Sequence, residues 1–236
     1  MSASCSLITP TFRMSYPNLL VATQYQGKGE FTYNMQGIYD PETLSQFRVP
    51  NDATGKFDFA DVVEVVKRVA KEEWGVESGP DMGPTPDNPT IQWPIKRGTL
   101  EAQRINKARE AKGESPIDLG HIEGKALIGC KAYTKYAPKL WFPDGDKFVQ
   151  VVRGDEFSEQ KAAQFFYGGA YAYAAVTAKA TISGANRFVT FYVNDVRFVR
   201  HGDRLGSGSM MERFEGIHGG ESQFDATQGM DDEIPF

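Results

Sequence analysis

Two short segments put flat aromatic rings and cations on one side of an extended chain. That combination suits an unpaired nucleic-acid strand, because the cations meet phosphates while exposed bases stack on the ring faces. In Lys131-Ala132-Tyr133-Thr134-Lys135, the two-residue period of a strand assigns Lys131, Tyr133 and Lys135 to one side and Cys130, Ala132 and Thr134 to the other. From Ala170 to Lys179, Tyr171, Tyr173 and Lys179 share one side, and Ala170, Ala172, Ala174, Val176 and Ala178 line the other. The small apolar side would face a core. Lys139, Trp141 and Arg187 extend the set of candidate strand-binding residues, although Trp141-Phe142 before Pro143 could equally anchor a loop. A tyrosine that only covers a sheet gives the same local pattern, and it is the repetition that favours binding.

Catalytic chemistry is not expected. His121, His201 and His218 lie far apart, and none has a second ligand at metal-binding spacing. The segment Gly120-His121-Ile122-Glu123-Gly124-Lys125-Ala126 departs from a phosphate-binding loop: three residues separate its glycines, and Ala126 stands where a hydroxyl should reach magnesium. No Gly-x-Ser-x-Gly elbow occurs. Asp231-Asp232-Glu233 could hold a metal only on a rigid frame, and a chain end is a poor one. No metal and no cofactor is expected.

The elements that must position the rings and cations read mainly as strands. Tyr16 to Gln26 and Phe31 to Asp40 form a hairpin across Gly27-Lys28-Gly29, and further strands follow over Ala126–Tyr136, Phe148–Arg153, Ala170–Thr181 and Arg187–Arg200. Between them, Phe59, Val62, Val63, Val66, Val69, Ala70 and Trp74 recur at helical spacing and predict a helix from Asp58, its cap, to Gly75. Prolines crowd residues 80–94 into a loop. A second helix is predicted from Leu100 to Lys112, capped by Thr99 and stopped by Gly113. Arg104, Lys107, Arg109 and Lys112 give it a basic face, whose ordinary fate is solvation. Strands and helices do not alternate, so the pattern fits a mainly β, five-stranded barrel of the oligonucleotide-binding (OB) type, with extra strands and one or two helices inserted at about 50–115.

The net charge of -5 is unevenly distributed. All 26 Lys and Arg precede residue 214, while Glu215, Glu221, Asp225, Asp231, Asp232 and Glu233 follow it, leaving 25 acids to balance the 26 cations of the body. Residues 1–206 are expected to form the binding domain and 207–236 a flexible acidic tail, disordered over about Gly216–Met230. Cys5 and Cys130 do not suggest a bridge, which suits a reducing cytoplasm. Neither a secretory leader nor a membrane span is expected. The tail closes on Ile234-Pro235-Phe236. Phe236 could fill an apolar pocket, its carboxylate could meet a cation, and Asp231, Asp232 and Glu233 would add charge complementarity.

Asp231-Asp232-Glu233-Ile234-Pro235-Phe236 resembles the acidic tip of bacterial single-stranded-DNA-binding proteins. The body is similar to phage-encoded members of that functional class with an enlarged barrel. This second likeness rests on Ser15-Tyr16-Pro17-Asn18-Leu19-Leu20, on Gly168-Gly169-Ala170-Tyr171-Ala172, and on Phe191 to Arg200 before Gly202-Asp203-Arg204-Leu205-Gly206. The resemblance implies a protein that coats single-stranded DNA with little regard to sequence in phage replication, recombination and repair. It further implies removal of hairpins, and recruitment of DNA polymerase, primase or helicase through the tip in a bacterial host cytoplasm. Duplex binding and homodimers occur among such proteins. A barrel that binds only protein is the alternative, and a metal-dependent nuclease the third reading.

Overall fold

The computed structural model describes residues 2–25, 28–51, 53–75, 91–183 and 186–205. The expected tail, including Asp231–Phe236, and most of the proline-rich segment lie outside them.

Among the described residues, twelve strands and three helices follow in chain order. They are β1 (Ser4–Ile8), β2 (Phe12–Tyr25), β3 (Lys28–Tyr39), β4 (Phe47–Asn51), β5 (Lys56–Ala60), α1 (Val62–Trp74), β6 (Ile91–Gln92), β7 (Ile95–Arg97) and α2 (Gly98–Glu110). The remainder are β8 (Ala126–Tyr133), β9 (Lys139–Asp144), β10 (Lys147–Gln150), α3 (Glu156–Ala163), β11 (Tyr171–Ser183) and β12 (Asn186–Arg200). β12 pairs with both β8 and β11, which closes β2, β3, β8, β12 and β11 into a five-stranded ring. The pairing of β8 with β12 is parallel and the other four are antiparallel. The fold is therefore mainly β with an OB-like barrel, as its residue patterns predict.

Alternation builds the core. Cys130 and Ala132 of β8, the even-numbered residues from Ala172 to Ala180 of β11, and Val189, Phe191 and Val193 of β12 are buried. Ala178 stands opposite Phe191 and Ala172 opposite Phe198, so small residues make room for rings across the strand pair. α1 buries Val62, Val65, Val66, Val69 and Ala70 and packs on β11, β1 and β12.

Several boundaries differ from expectation. The first helix begins at Val62, because Asp61, not Asp58, accepts a hydrogen bond from the Val63 amide at 2.8 Å. Asp58 instead lies in β5 and accepts from Asn51 Nδ2 at 2.7 Å, bracing the β4–β5 hairpin. Phe59 thereby leaves the helical pattern. α2 begins at Gly98, and Thr99 Oγ1 accepts from the Gly124 amide instead of capping it. Gly98 is required there: a Cβ would stand 1.8 Å from the Ile122 carbonyl oxygen. The strand expected to reach Tyr136 ends at Tyr133 in a 3-10 turn over Thr134–Tyr136, and Trp141 lies in β9, not in a loop. The strand expected over Phe148–Arg153 is β10, which ends at Gln150. Helix α3, capped by Asp155 on the Phe157 amide, has no counterpart among the expected elements.

Candidate nucleic-acid interface

The exterior face of the barrel is assembled by register, one strand at a time. Tyr192 of β12 stands beside Lys131 of β8 and, on its other side, opposite Thr177 of β11. Tyr133 follows two positions along β8, and its ring centroid lies 5.8 Å from that of Tyr192. The Lys131 ammonium is held 5.5 Å from the Tyr133 ring and 5.8 Å from the Tyr192 ring, within cation–π reach. Burial, with a hydrogen bond to and the proximity of Tyr133, raises the Tyr192 pKa, so this phenol is neutral at physiological pH. Lys179, one step diagonal to Tyr192 across the pair, is exposed on this side. Lys135 has left the strand but stays adjacent: with Phe31, Tyr133 and Tyr136 it lines a depression of about 640 Å³.

Beyond the 3-10 turn, β9 resumes the path of β8 alongside β12. Lys139 stands opposite Asp195 and Trp141 opposite Arg197. Trp141 Nε1 donates to Asp195 Oδ1 at 3.1 Å, which fixes the indole. Arg197 lies 3.7 Å from the Phe148 ring centroid and 5.9 Å from that of Tyr173, its partner in β11. Trp141, Phe148, Tyr173 and Arg197 together line a groove of about 360 Å³. One step further, the Arg200 guanidinium is 3.5 Å from the Tyr171 ring centroid. Among the described residues, neither Arg197 nor Arg200 has a carboxylate within ion-pair distance.

A β-bulge makes the two halves of this face one surface. Val193 pairs with Val176 and Asp195 with Ala175, so Asn194 is the extra residue; it donates to Thr177 Oγ1 at 3.0 Å. Tyr192 and Arg197 are five positions apart and would point to opposite sides of a regular strand. With one residue inserted they point to the same side.

The face thus gathers Lys131, Tyr133, Lys135, Lys139, Trp141, Tyr171, Tyr173 and Lys179. Arg187 stands apart: it shares the parity of Val189 and Phe191, and its guanidinium lies 5.9 Å from the Trp74 ring of α1. The basic helix α2 is also separate, its Arg104 bonded to Glu101 at 2.7 and 2.9 Å and its Arg109 paired with Glu114 at 2.9 Å. Tyr192, Arg197, Arg200, Phe148 and Tyr136 are not among the residues that the sequence singles out, although the aromatic-basic run Phe191 to Arg200 carries the signal for three of them.

Elsewhere, His201 packs against Phe165, Tyr167 and Phe198. Burial lowers the pKa of His121, and nearby Arg13 adds to that. Cys130 is buried, which pushes its thiol up to about 12, while Cys5 is half-buried; both are free. Among the described residues no cluster of His, Cys, Asp or Glu could hold a metal ion, and no helix is long and apolar enough to cross a membrane.

The single-stranded DNA-binding protein of bacteriophage Enc34, solved in complex with ssDNA, superposes with a TM-score of 0.53 at 14% identity over 87% of this chain and 95% of that one. In fold, the chain is similar to a phage single-stranded-DNA-binding protein. A C-terminal truncation of the Enc34 protein matches equally, with a TM-score of 0.54 at 14% identity over 87% and 94% of the two chains. No protein-family model matches, and no curated protein matches in sequence.

Proposed function

We propose that this protein binds single-stranded DNA along the exterior face of β8, β9, β12 and β11, largely without regard to sequence. The observation that carries this reading is the register that lines up Lys131, Tyr133 and Tyr192 with Trp141, Arg197 and Tyr173 on one side of an OB-like barrel. Ring faces accept any base, and the cations meet a backbone common to all sequences. The fold shared with a phage protein solved with ssDNA supports the same conclusion. The role is binding, not catalysis, and the setting is phage DNA replication, recombination and repair.

Residues 1–206 act as the binding domain and 207–236 as a tail whose Asp231, Asp232, Glu233, Ile234, Pro235 and Phe236 dock replication proteins such as a polymerase, primase or helicase. The support for the tail is its composition: acids without cations, closing on two large apolar residues around a proline. Filter binding of labelled single strand, duplex and RNA at low and high salt tests the first claim. Single-strand affinity should exceed duplex affinity and fall with salt. Removing residues 207–236 should abolish partner capture and spare DNA binding. Affinity for no nucleic acid at either salt would leave a barrel that binds only protein.

A further inference from the structure

The β4–β5 hairpin carries two exposed phenylalanines, Phe57 at 51% and Phe59 at 71% exposure, on an edge strand of the sheet. Two large rings left open on an edge invite unwanted association unless something covers them. They share one side of β5, and register ties that side to the face described above. Ala175 of β11 stands opposite Ile8 of β1, Ile8 opposite Arg48 of β4, and Arg48 opposite Phe59. The line begins beside Asp195, which pairs with Ala175 and bonds Trp141.

The surface is grooved along the same line. Phe57, Phe59, Arg48 and Tyr173 border a depression of about 790 Å³ whose lining includes no carboxylate. It meets the groove of Trp141 and Arg197 at Ile8 and Tyr173, which line both. Arg48 lies 5.5 Å from the Phe59 ring centroid and is exposed; among the described residues no carboxylate pairs with it. Asp58, the acid of β5, bonds Asn51 and has the opposite parity to both rings. A cation beside one open ring and in the same groove as a second, with no carboxylate in the lining, suits a polyanion with flat bases better than it suits an acid-seeking or purely apolar partner.

We propose that the β4–β5 hairpin is a second segment of the single-strand path, in which Phe57 and Phe59 stack bases and Arg48 meets phosphate after the strand passes Tyr173. The proposal rests on the reading of the barrel face as a DNA site. Three strand spacings separate β11 from β5, about 14 Å. At the stacked spacing of ~3.4 Å per phosphate, that length holds up to roughly four nucleotides.

The test uses the full 236-residue chain and an oligothymidine series from roughly 4 to 16 nucleotides and beyond, bracketing the site sizes of OB barrels. Affinity of the parent should rise with length to a plateau. Phe59→Leu, which keeps an apolar side chain but removes the ring, should plateau up to roughly four nucleotides earlier and bind the longer strands roughly 5- to 150-fold more weakly, the range set by one lost stack. Short strands should bind both proteins equally, and Phe59→Tyr should match the parent. Identical length profiles for Phe59→Leu and the parent would overturn the proposal while leaving the barrel site intact. The proposal is equally overturned if Phe59→Leu changes only the sedimentation of the protein, because the hairpin then joins two copies of the chain. If the parent binds no oligothymidine of any length, the barrel reading itself fails.

Discussion

Replacing Arg197 with alanine isolates the electrostatic part of strand binding. The guanidinium is exposed and rests on Phe148 at 3.7 Å, so its loss should cost the fold only about 0.5–1 kcal/mol, the worth of an exposed cation–π contact. The DNA effect is larger and depends on salt. Each phosphate neutralised on a single strand contributes about 0.7 to the slope of log affinity against log salt. Lys131, Lys135, Lys139, Lys179, Arg197 and Arg200 lie on the face, so the parent slope should be about -4 if each meets one phosphate. Arg197→Ala should reduce its magnitude by about 0.7. Affinity then falls about 5-fold at 0.1 M salt and about 25-fold at 0.01 M, and the difference closes near 1 M. Arg197→Lys should restore the slope, yet remain weaker where the flat guanidinium on Phe148 extends a stacking surface. Fluorescence titration with oligothymidine at four or more salt concentrations reads all three proteins. A loss of the same size at every salt, or none, would refute a phosphate role for Arg197.

Two further outcomes follow from the packing. Tyr39 and Tyr192 both have raised pKa values, chiefly through burial, so each ionises more readily in the unfolded chain. Their stabilising contribution is complete below about pH 10 and is lost as pH climbs from there through their folded values. Urea midpoints at about pH 8 and about pH 11 should therefore diverge, and less so in Tyr192→Phe; an unchanged gap would remove Tyr192 from the account. Gly98→Ala would drive a Cβ to 1.8 Å from the Ile122 oxygen and 2.9 Å from that of Lys125, both backbone atoms that cannot swing aside. It should cost about 1–3 kcal/mol or more by thermal unfolding, and a loss below about 0.5 kcal/mol would mean the loop relaxes freely.

Alternation along a single strand is a local property, so the division of β8 and β11 into an alanine side and a tyrosine-lysine side is legible in the sequence. So is α1, whose valines repeat every three or four residues. Its start is not: the sequence pattern points to Asp58 as the cap, and only the pairing of β5 with β4 draws Asp58 into a strand and leaves the cap to Asp61. Lys135 has the right parity on paper. The chain, however, leaves β8 at Thr134 so that β9 can take its place beside β12. Arg187 is a different case: its side of β12 is the one on which α1 places Trp74, and no spacing along the chain shows that.

What the amino-acid sequence determined alone is the chemistry available to each strand and the separation of a near-neutral body from an acidic end, because both depend only on neighbours along the chain. What tertiary structure decided is which strands lie side by side. Trp141, Phe148, Tyr173 and Arg197 come from four strands, and no spacing in the chain predicts that they line one groove. The bulge at Asn194 belongs to the same level, because it shows only once β12 is paired with β11. Its single extra residue turns Tyr192 and Arg197 toward the same solvent.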